Sequence, residues 1–571
     1  MNSDNDKLYF TPFNFLDKES KKRLIELYPY KNKDFFIDDY KKSKDLLIKL
    51  KKNLYKKLNT IHDVSYEPIY WDLIIEQWLF KTVMILRENW SCIEILNQEK
   101  IEPNFKMHNL DFKDVVHESP NQFFLGIYTG GQAALQNFFY LKIIKYFNFK
   151  NIILEDYTLL KKKKVISKKP IYLKIIYIIS KFIFLFKKNY KILILAPQHF
   201  KTEINSFLKN FIPYVLIDFS KIDIQYNNYN SKLREWNIEI DSNNDFEKFV
   251  AYLIPKILPK MMVEDYKKIS NLVNKKYPIK TKNLIKPPDD NDYLNFFVAN
   301  QVSMGSKIHM FQHGANYGQL LICPDEEIEF NQADYFYTYG WKSEFYNKEI
   351  QNKLVQFYPV SLGYVKNLEL DKTKKELSII LKCNEEFFYQ FQSVANYAHQ
   401  KKYIDNIKNF QNRLKNEVIK NLSIRLHPTD KISRYKKSFD SIKIYDGKEN
   451  IIQFLQKLKL CIITYNATTY LHTFALNIPT IIYFDKDDVL FRKNVDKYFN
   501  YLREANILFD EPNKAAEFIN SIYPNVEKWW FSEKTQKNVK LFTKNFADLN
   551  KNNQNRYDSL IKNILKNEKN V

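Results

Sequence analysis

The spacing of apolar residues divides the chain into a helical beginning and a longer part in which strands and helices alternate. Residues 1–148 carry apolar and aromatic side chains at helical spacing, as in YWDLIIEQWLFKTVMIL at 70–86, and this periodicity predicts a helical N-terminal region. From residue 149 onward, short apolar blocks typical of strands are separated by segments of helical length. The alternation predicts an α/β fold in which helices cover both faces of parallel sheets.

The strand-like blocks fall into two groups, which predict two Rossmann-like domains. Residues 149–358 form the first, predicted acceptor-side domain, and residues 359–528 form the second, predicted nucleotide-donor domain. Residues 529–571 are predicted to form a C-terminal helical tail. Two such domains facing a cleft make up the architecture called GT-B, and in parallel sheets of this kind ligands bind at the carboxyl ends of the strands. The predicted strands are NIILED at 151–156, KILILAP at 191–197, YVLIDF at 214–219 and KIHMF at 307–311 in the first domain, and ELSIIL at 376–381, LSIRLHP at 422–428, KIYD at 443–446, LKLCIIT at 458–464 and TIIYF at 480–484 in the second.

One strongly apolar segment, IYLKIIYIISKFIFLF at 171–186, has two interpretations. It is interrupted by Lys174 and Lys181 and flanked by further lysines. Its 16 residues are fewer than the roughly 20 that a membrane-spanning helix needs. The segment is either an interfacial helix with its lysines on an anionic membrane surface, or an ordinary amphipathic helix packed on the sheet.

Charge and cysteine content narrow the possible environments. The chain has 89 Lys and Arg against 66 Asp and Glu, a formal net charge of +23. The lysines are spread along the chain and no nucleic-acid readout motif is present, so no specific nucleic-acid partner is expected. The four cysteines stand far apart without CxxC pairs, which argues against a disulfide framework or a zinc site. Residues 1–10 lack the layout of a signal peptide, which predicts a cytoplasmic protein, peripheral at the inner membrane if 171–186 is interfacial.

The first candidate site is the heptapeptide QHGANYG at 312–318, which follows the predicted strand KIHMF. Only nine glycines occur in the chain, and two of them, Gly314 and Gly318, lie in this loop. They would let the main chain approach a ligand closely. His313, with an ordinary pKa of about 6.5, is suited to take a proton from an acceptor hydroxyl. Gln312 and Tyr317 are assigned to the same binding loop. The alternative is a structural histidine in a turn.

The second candidate site is the strand at 422–428, where polar side chains alternate with apolar ones. Arg425 and His427 share one face of the predicted strand, and Pro428 ends it just beyond the histidine. The guanidinium offers a fork of donors for phosphate oxygens, and the imidazole offers a further donor. This pattern predicts a site for the phosphates of a nucleotide. The alternative is a buried arginine paired with a carboxylate.

The third candidate site follows the strand LKLCIIT. Asn466 or Thr468 is expected to cap a helix at 470–477, whose N-terminus would provide a phosphate site, with the hydroxyls of Thr468 and Thr469 as extra donors. Capping alone would also account for these residues. The sequence therefore favours a phosphate site here mainly because the Arg-His strand precedes it in the same domain.

In order and spacing, these residues resemble a family of transferases encoded in bacterial O-antigen and surface-carbohydrate clusters. The resemblance spans most of the chain and implies a GT-B-like fold and a role in building lipopolysaccharide or another surface polysaccharide. The motifs that carry it are His62 followed by YWDLIIEQWL, the QHGANYG loop with Tyr339-Gly340-Trp341 after it, RLHP, TYNATTYLHTFALNIPTIIYFD at 464–485, and EKWW ending at Trp530.

Two of these motifs extend the resemblance to other transferases. RLHP and Asn-Ala-Thr-Thr are similar to elements of the CDP-glycerol glycerophosphotransferases and of the bacterial Kdo and sialic acid transferases, where a His-Pro pair contacts the donor's phosphate. This similarity implies a CMP- or CDP-linked donor. Where such proteins commonly place a Glu used on the nucleotide ribose, this chain has His472, which we assign to the donor site.

Together the motifs predict an enzyme that transfers a sugar, or a polyol phosphate, from a nucleotide-activated donor to a glycan or lipid-linked acceptor. His313 would be the general base, and Arg425, His427, Thr468 and Thr469 would hold the donor phosphates. The scheme needs no metal or other cofactor, and FDKDD at 484–488 is interpreted as a solvated loop rather than a cation site. The alternative is a non-catalytic scaffold of a polysaccharide assembly complex, held at the membrane by 171–186. The enzyme hypothesis requires that the His313 loop and the Arg425-His427 strand face one groove.

Overall fold

A computed structural model describes most of the chain. The described residues are 13–123, 132–156, 188–195, 214–215, 224–286, 291–342, 344, 346–363, 376–383, 391–392, 400–484, 489–549 and 553–567. The proposed interfacial segment at 171–186 and the aspartates Asp485, Asp487 and Asp488 lie outside these residues. Among the helices that the structure describes, none has the length and apolar composition needed to cross a bilayer.

The N-terminal region is helical, as its periodicity predicts. Its longest helix, Lys33–His62, begins at Asn32, whose side-chain oxygen accepts hydrogen bonds from the N–H groups of Asp34 and Phe35. The helix buries a stripe of leucines at a spacing of three and four residues. The other described helices of the region are Lys18–Leu27, Pro68–Trp71, Gln77–Gln98, Phe112–Val115 and Gln132–Tyr146, with a π-helical turn at Asp72–Glu76.

One expected strand belongs to a different sheet. The block NIILED forms β2, Ile152–Glu155, which pairs in parallel with β1, Phe105–His108, in a separate two-stranded sheet. The expectation that this block begins the first large sheet is therefore wrong. Ile153 and Leu154 stay exposed, whereas the strands of the large sheets are mostly buried. An apolar run predicts a strand, but it does not identify the strand's partner.

The first α/β domain contains a six-stranded parallel sheet in the order β4-β3-β5-β6-β7-β8. The predicted strands at 191, 214 and 307 are confirmed as β3, β4 and β6, while β5, β7 and β8 were not predicted. The strands are β3 Asn189–Leu195, β4 Tyr214–Val215, β5 Lys280–Lys286, β6 Lys307–Phe311, β7 Tyr335–Thr338 and β8 Leu354–Gln356, and the described helices are Asp245–Ile257, Tyr266–Lys276, Asp292–Ser303, Pro324–Gln332, Lys348–Lys353 and Val360–Gly363.

The second α/β domain repeats the design with the order β11-β10-β9-β12-β13-β14, again entirely parallel. All five of its predicted strands are confirmed, and among the described residues the short β14 is the one strand added. The strands are β9 Glu376–Ile380, β10 Leu422–Arg425, β11 Lys443–Tyr445, β12 Leu458–Ile463, β13 Thr480–Tyr483 and β14 Leu508–Phe509, and the described helices are Gln400–Arg413, Asn416–Ile419, Ile432–Tyr435, Ile451–Leu455, Thr469–Ala475, Asp496–Glu504, Pro512–Ile522 and Val526–Trp530.

The C-terminal tail is helical, as expected, and connects the two domains. In the EKWW motif, the indole N–H of Trp530 donates to the carbonyl of Asn477. Asn477 itself has a left-handed backbone conformation and ends the helix of the third candidate site. The tail continues as helices Glu533–Phe546 and Asn553–Asn567. Tyr557 and Ile561 of the last helix are buried in a cluster with residues of β3, β5 and β6. The chain thus returns to the first domain, and the fold is the predicted GT-B-like pair of Rossmann-like domains.

The helix Pro324–Gln332 of the first domain is held by the N-terminal region. Glu327 accepts a hydrogen bond of 2.6 Å from the Tyr40 hydroxyl and forms an ion pair of 2.7 Å with Lys44. The side-chain amide of Gln332 donates to the carbonyl of Asp72. The N-terminal helices therefore fix the position of a helix whose Glu326 and Glu329 carboxylates contact the first candidate site.

Buried histidines are expected to make the fold sensitive to mild acid. His62 stacks on Tyr266, and His309 is bonded to Tyr337 and Asn283. Burial lowers the pKa of both imidazoles from 6.5 to about 4. As pH drops from about 6.5 towards 4, these histidines bind protons in the unfolded chain before they do so in the folded chain. The free energy of unfolding therefore falls over this interval. The loss is up to about 1.4 kcal/mol per histidine for each pH unit.

This expectation is tested by urea unfolding at about pH 7 and about pH 5.5. Glu76 works in the opposite direction, because burial and Asp72 raise its pKa to about 7. The informative comparison is therefore between the native chain and His309→Gln, which should lose less stability over the same interval. An equal loss in the two proteins would contradict the assignment.

Candidate functional site

His313 lies in the loop that follows β6, with a carboxylate behind it. Its side chain is 44% exposed, and its Nδ1 is 3.3 Å from Oε1 of Glu329 and 3.2 Å from the hydroxyl oxygen of Tyr317. The Tyr317 hydroxyl donates its proton to the same Glu329 oxygen at 2.8 Å. Nδ1 therefore makes both contacts as the protonated nitrogen, and Nε2 is the basic nitrogen of the ring.

Glu329 was not predicted from the sequence. It lies on the helix Pro324–Gln332, and only 10% of its side chain is exposed. Burial, and then the Glu329 charge, raise the pKa of the Tyr317 hydroxyl well above its usual value, so this hydroxyl remains a donor. The sequence contains several acidic residues in this helix, and nothing in their spacing identifies the one that faces the imidazole.

Two residues that the sequence assigned to ligand contact, Gln312 and Tyr317, instead support this loop from inside the protein. The Gln312 side chain is buried; its oxygen accepts from the backbone N–H of Tyr339 and the indole N–H of Trp341, both at 2.8 Å, and its nitrogen donates to the carbonyl of Gly314. Tyr317 is buried beneath His313, as described above.

Gly318 likewise contacts protein rather than open space. Its φ is +72°, and a Cβ at this position would lie 2.6 Å from the ring of Trp341. The close approach that the sequence predicted for a ligand is therefore occupied by an indole. The Tyr339-Gly340-Trp341 motif thus has a packing explanation, since it closes the underside of the His313 loop.

The loops after β6 and β12 contact each other across the two domains. The N–H of Ala315 donates to the Thr468 hydroxyl at 3.2 Å, and a Cβ on Gly314 would lie 3.6 Å from the same oxygen. The amide nitrogen of Asn466 lies 3.2 Å from the side-chain oxygens of both Asn316 and Gln319. The carboxyl ends of the two sheets therefore meet at this seam.

The expected helix cap is absent from this seam. The helix is Thr469–Ala475, and within the described part of the chain no side chain caps its N-terminus. The expectation that Asn466 or Thr468 caps it is therefore wrong, because both side chains turn towards the first domain. Thr469 instead lies 3.1 Å from the hydroxyl of Tyr465.

Arg425 is bound by main-chain oxygens. Its Nη2 donates to the carbonyls of Gly447 and Glu449 at 2.7 and 2.8 Å, and its guanidinium lies over the ring of Phe454. The alternative of a carboxylate pair finds no support among the described residues. Its buried Nε has no hydrogen-bond partner there, so this donor could serve a ligand.

His427 follows β10 and is held in one tautomer. The N–H of Thr429 donates to its Nδ1 at 3.4 Å, and the Thr429 hydroxyl lies 2.8 Å from the same nitrogen. Nδ1 is therefore an acceptor, and Nε2 carries the proton. Burial, and then the Arg425 charge, lower the pKa of His427, so the ring stays neutral and can donate from Nε2.

Cys383 lies between the second and third candidate sites. It follows β9, the strand between β10 and β12, and its sulfur is 3.3 Å from the Thr429 hydroxyl. It is partly exposed, whereas Cys92, Cys323 and Cys461 are buried. No sequence motif identified Cys383 as part of the site.

His472 lies within the helix Thr469–Ala475. Burial lowers its pKa to about 4, so the ring is neutral at physiological pH. Its Nδ1 is buried and has no partner among the described residues. Its contribution to donor binding stays a prediction. The described residues contain no group of three or more His, Cys, Asp or Glu arranged to hold a metal ion.

Comparison with known proteins gives one match over nearly the whole length. The sequence model of the LIC12162 family transferases matches residues 8–561. No curated protein matches the sequence.

Three of the similar solved structures are the following. The wall teichoic acid polymerase TagF is 15% identical over 66% of this chain and 89% of its own, with a TM-score of 0.33. MurG of Acinetobacter baumannii is 10% identical over 66% of this chain and 99% of its own, with a TM-score of 0.33. WaaG, a glycosyltransferase involved in lipopolysaccharide biosynthesis, is 9% identical over 52% and 95%, with a TM-score of 0.27.

Proposed function

Because the chain belongs to the LIC12162 family of transferases, we propose that it transfers a sugar, or a polyol phosphate, from a nucleotide-activated donor to a surface-polysaccharide or lipid-linked acceptor. The observation that carries the proposal is the seam between the sheets, where the His313 loop contacts the Thr468 loop. Thr468, one of the proposed phosphate donors, therefore lies beside the loop that carries the proposed base. The reaction would take place in the cytoplasm, at the inner face of the membrane when the acceptor is lipid-linked.

On the acceptor side, His313 would act as general base. Its Nε2 accepts the proton of an acceptor hydroxyl while the hydroxyl oxygen forms the new bond to the sugar carbon or to the polyol phosphorus. The imidazolium that results is stabilised by Glu329 at Nδ1. This is the role of an oriented carboxylate behind a catalytic histidine.

On the donor side, the bond between the transferred group and the nucleotide phosphate breaks, and negative charge accumulates on that phosphate. The Arg425 guanidinium and the Nε2–H of His427 are available to stabilise it. The Thr468 oxygen accepts from Ala315 and its own proton can still be donated, as can that of Thr469. Fixed donors of this kind stabilise a leaving phosphate without a metal ion. The resemblance to cytidine-nucleotide enzymes favours a CMP- or CDP-linked donor.

Cys383 provides a direct test of nucleotide binding. We expect one of CMP, CDP, UDP, GDP and dTDP to slow alkylation of Cys383, because the thiol is adjacent to the Thr429 and His427 pair. At 100 times its dissociation constant, the nucleotide should slow the reaction by up to about 100-fold and stabilise the fold by about 2.7 kcal/mol. Alkylation is measured by mass spectrometry of the Cys383 peptide.

Two variants serve as controls for this experiment. Cys383→Ser should keep the thermal stabilisation, which shows that the thiol reports on binding without being required for it. His427→Ala should lose both protection and stabilisation. If none of the five nucleotides changes the alkylation rate or the melting temperature, the donor site is not where we place it, and the scaffold alternative is favoured.

A further inference from the structure

We propose that the ion pair between Glu326 and Arg492 is a positioning device that holds the His313 loop in register with the donor domain. The inference rests on the proposed function and adds to it a requirement for a residue pair that touches neither donor nor acceptor. Neither residue was assigned a role from the sequence. Glu326 comes from the first domain and Arg492 from the second.

The Glu326 carboxylate connects three groups. Its Oε2 accepts a hydrogen bond of 2.6 Å from the backbone N–H of Gly318. Its Oε1 accepts from the Tyr346 hydroxyl at 2.6 Å and from Nη2 of Arg492 at 2.5 Å. Nη1 of Arg492 also contacts the Tyr346 hydroxyl. The Glu326 carboxylate thus binds both the main chain of the His313 loop and the guanidinium of Arg492 from the opposite domain.

The contact with Gly318 lies close to the residues that we propose for catalysis. Gly318 directly follows Tyr317, whose hydroxyl bridges His313 and Glu329. Trp341 already fills the space beside Gly318, so the loop has little freedom on that side. A shift of the Gly318 N–H would therefore displace Tyr317 and change the contact between Glu329 and His313.

The contact with Arg492 continues into a short interdomain ladder. The N–H of Arg492 donates to the carbonyl of Gln319 at 3.0 Å, and the N–H of Leu321 donates to the carbonyl of Leu490 at 2.8 Å. Leu320 and Phe491 form an antiparallel bridge between the domains. The segment 490–492 follows β13, so it belongs to the donor side.

Burial makes the ion pair sensitive to loss of either partner. The Glu326 side chain is fully buried and that of Arg492 is 15% exposed. Removing one partner of a buried pair leaves an uncompensated charge. The remaining charge would reorganise its surroundings, and these include the Gly318 N–H. The structural consequence is therefore expected at the His313 loop.

A purely structural role is distinguished by a matched control. Arg234 and Glu264 form another buried pair, at 2.6 Å, in the first domain. Arg234 also donates to the carbonyls of Pro255 and Leu258, and within the described part of the chain none of its partners lies in the His313 loop. Arg492→Met and Arg234→Met should both lower the melting temperature. Only Arg492→Met should lower the turnover of the folded protein.

The experiment compares binding with turnover in these variants. Binding is measured as nucleotide protection of Cys383, and turnover as nucleotide release, with CDP-glycerol as the first probe donor. Arg492→Met should keep the nucleotide dissociation constant within about threefold and lower kcat by about 10- to 100-fold, since a small misplacement of a reacting group has effects of this size. Arg234→Met should keep kcat within about twofold. Arg492→Lys, which retains the charge, should recover part of the loss.

Two further readouts separate positioning from general damage. The acid limb of the pH profile of kcat/KM reports His313, and in Arg492→Met it should move to lower pH, because a looser Glu329 contact favours the imidazolium less. Glu326→Gln combined with Arg492→Met should be no slower than the slower single variant, because the pair acts as a unit. Unchanged kcat and pH profile in Arg492→Met and Arg492→Lys would overturn the inference. Failure of the proposed function differs, because the unsubstituted protein would then show neither protection nor turnover.

Discussion

His313→Ala is expected to lower kcat by about 10²- to 10⁴-fold, the usual contribution of a general base, while nucleotide protection of Cys383 remains. The reason is that Nε2 is the basic nitrogen and the side chain is partly exposed at the seam between the sheets. Its removal takes away the proton acceptor and leaves Thr429, His427 and Arg425 in place. Nucleotide release and Cys383 alkylation are measured on the same preparations.

Variants of the neighbours provide graded controls for this prediction. Glu329→Gln removes the charge that stabilises the imidazolium and should lower kcat less than His313→Ala. Tyr317→Phe removes a hydroxyl but leaves the 3.3 Å contact between Glu329 and His313, so it should have the smallest effect of the three. A His313→Ala protein with normal turnover would exclude this residue as the base. Loss of nucleotide protection in that variant would place His313 in the donor site instead.

Gly447→Ala is expected to destabilise the protein by about 3 kcal/mol or more, at the severe end for a single substitution. Gly447 has a φ of +74°, and a Cβ there would overlap the carbonyl oxygen of Leu426 and lie 3.0 Å from the carbonyl carbon of His427. Both atoms belong to the main chain, so no side-chain rotation relieves the overlap. The left-handed conformation adds roughly 1–2 kcal/mol of its own.

The same substitution should also damage the donor site. The Gly447 carbonyl accepts from Nη2 of Arg425, and the overlap displaces the main chain next to His427. Nucleotide protection of Cys383 should therefore weaken in Gly447→Ala even in the fraction that remains folded.

Gly305 offers a matched control for Gly447. Its φ is +93°, and no heavy atom of the residues that the structure describes lies within 4 Å of a Cβ placed there. Gly305→Ala therefore measures the cost of a positive φ without an overlap, and it should destabilise by about 1 kcal/mol. Urea unfolding compares the two variants. Equal losses would show that the chain around Gly447 relaxes, and that its glycine is needed only for backbone conformation.

Within the site, the sequence located the residues better than it assigned their roles. His313, His427 and Thr468 all lie at the carboxyl ends of strands because the strand pattern and the loop that follows it are encoded locally. The sequence did not identify Glu329, and it assigned the buried Gln312 to ligand contact. Whether a polar side chain meets a ligand or a neighbouring loop depends on which distant segment packs beside it. The roles of Arg425, His427, Asn466, Thr468, Thr469 and His472 in donor binding stay predictions.

Sequence patterns alone sufficed to predict the two-domain α/β architecture, the five strands of the second domain and the helical ends of the chain. These follow from periodicity within short segments, where burial on one face or both imposes a pattern of its own. Three contacts are visible only in the folded molecule: β1 pairs with β2, Trp341 fills the space beside Gly318, and Glu326 binds Arg492. Each of these contacts joins residues that are distant in sequence. Packing and charge pairing across the folded molecule select such partners, and no local pattern records that selection.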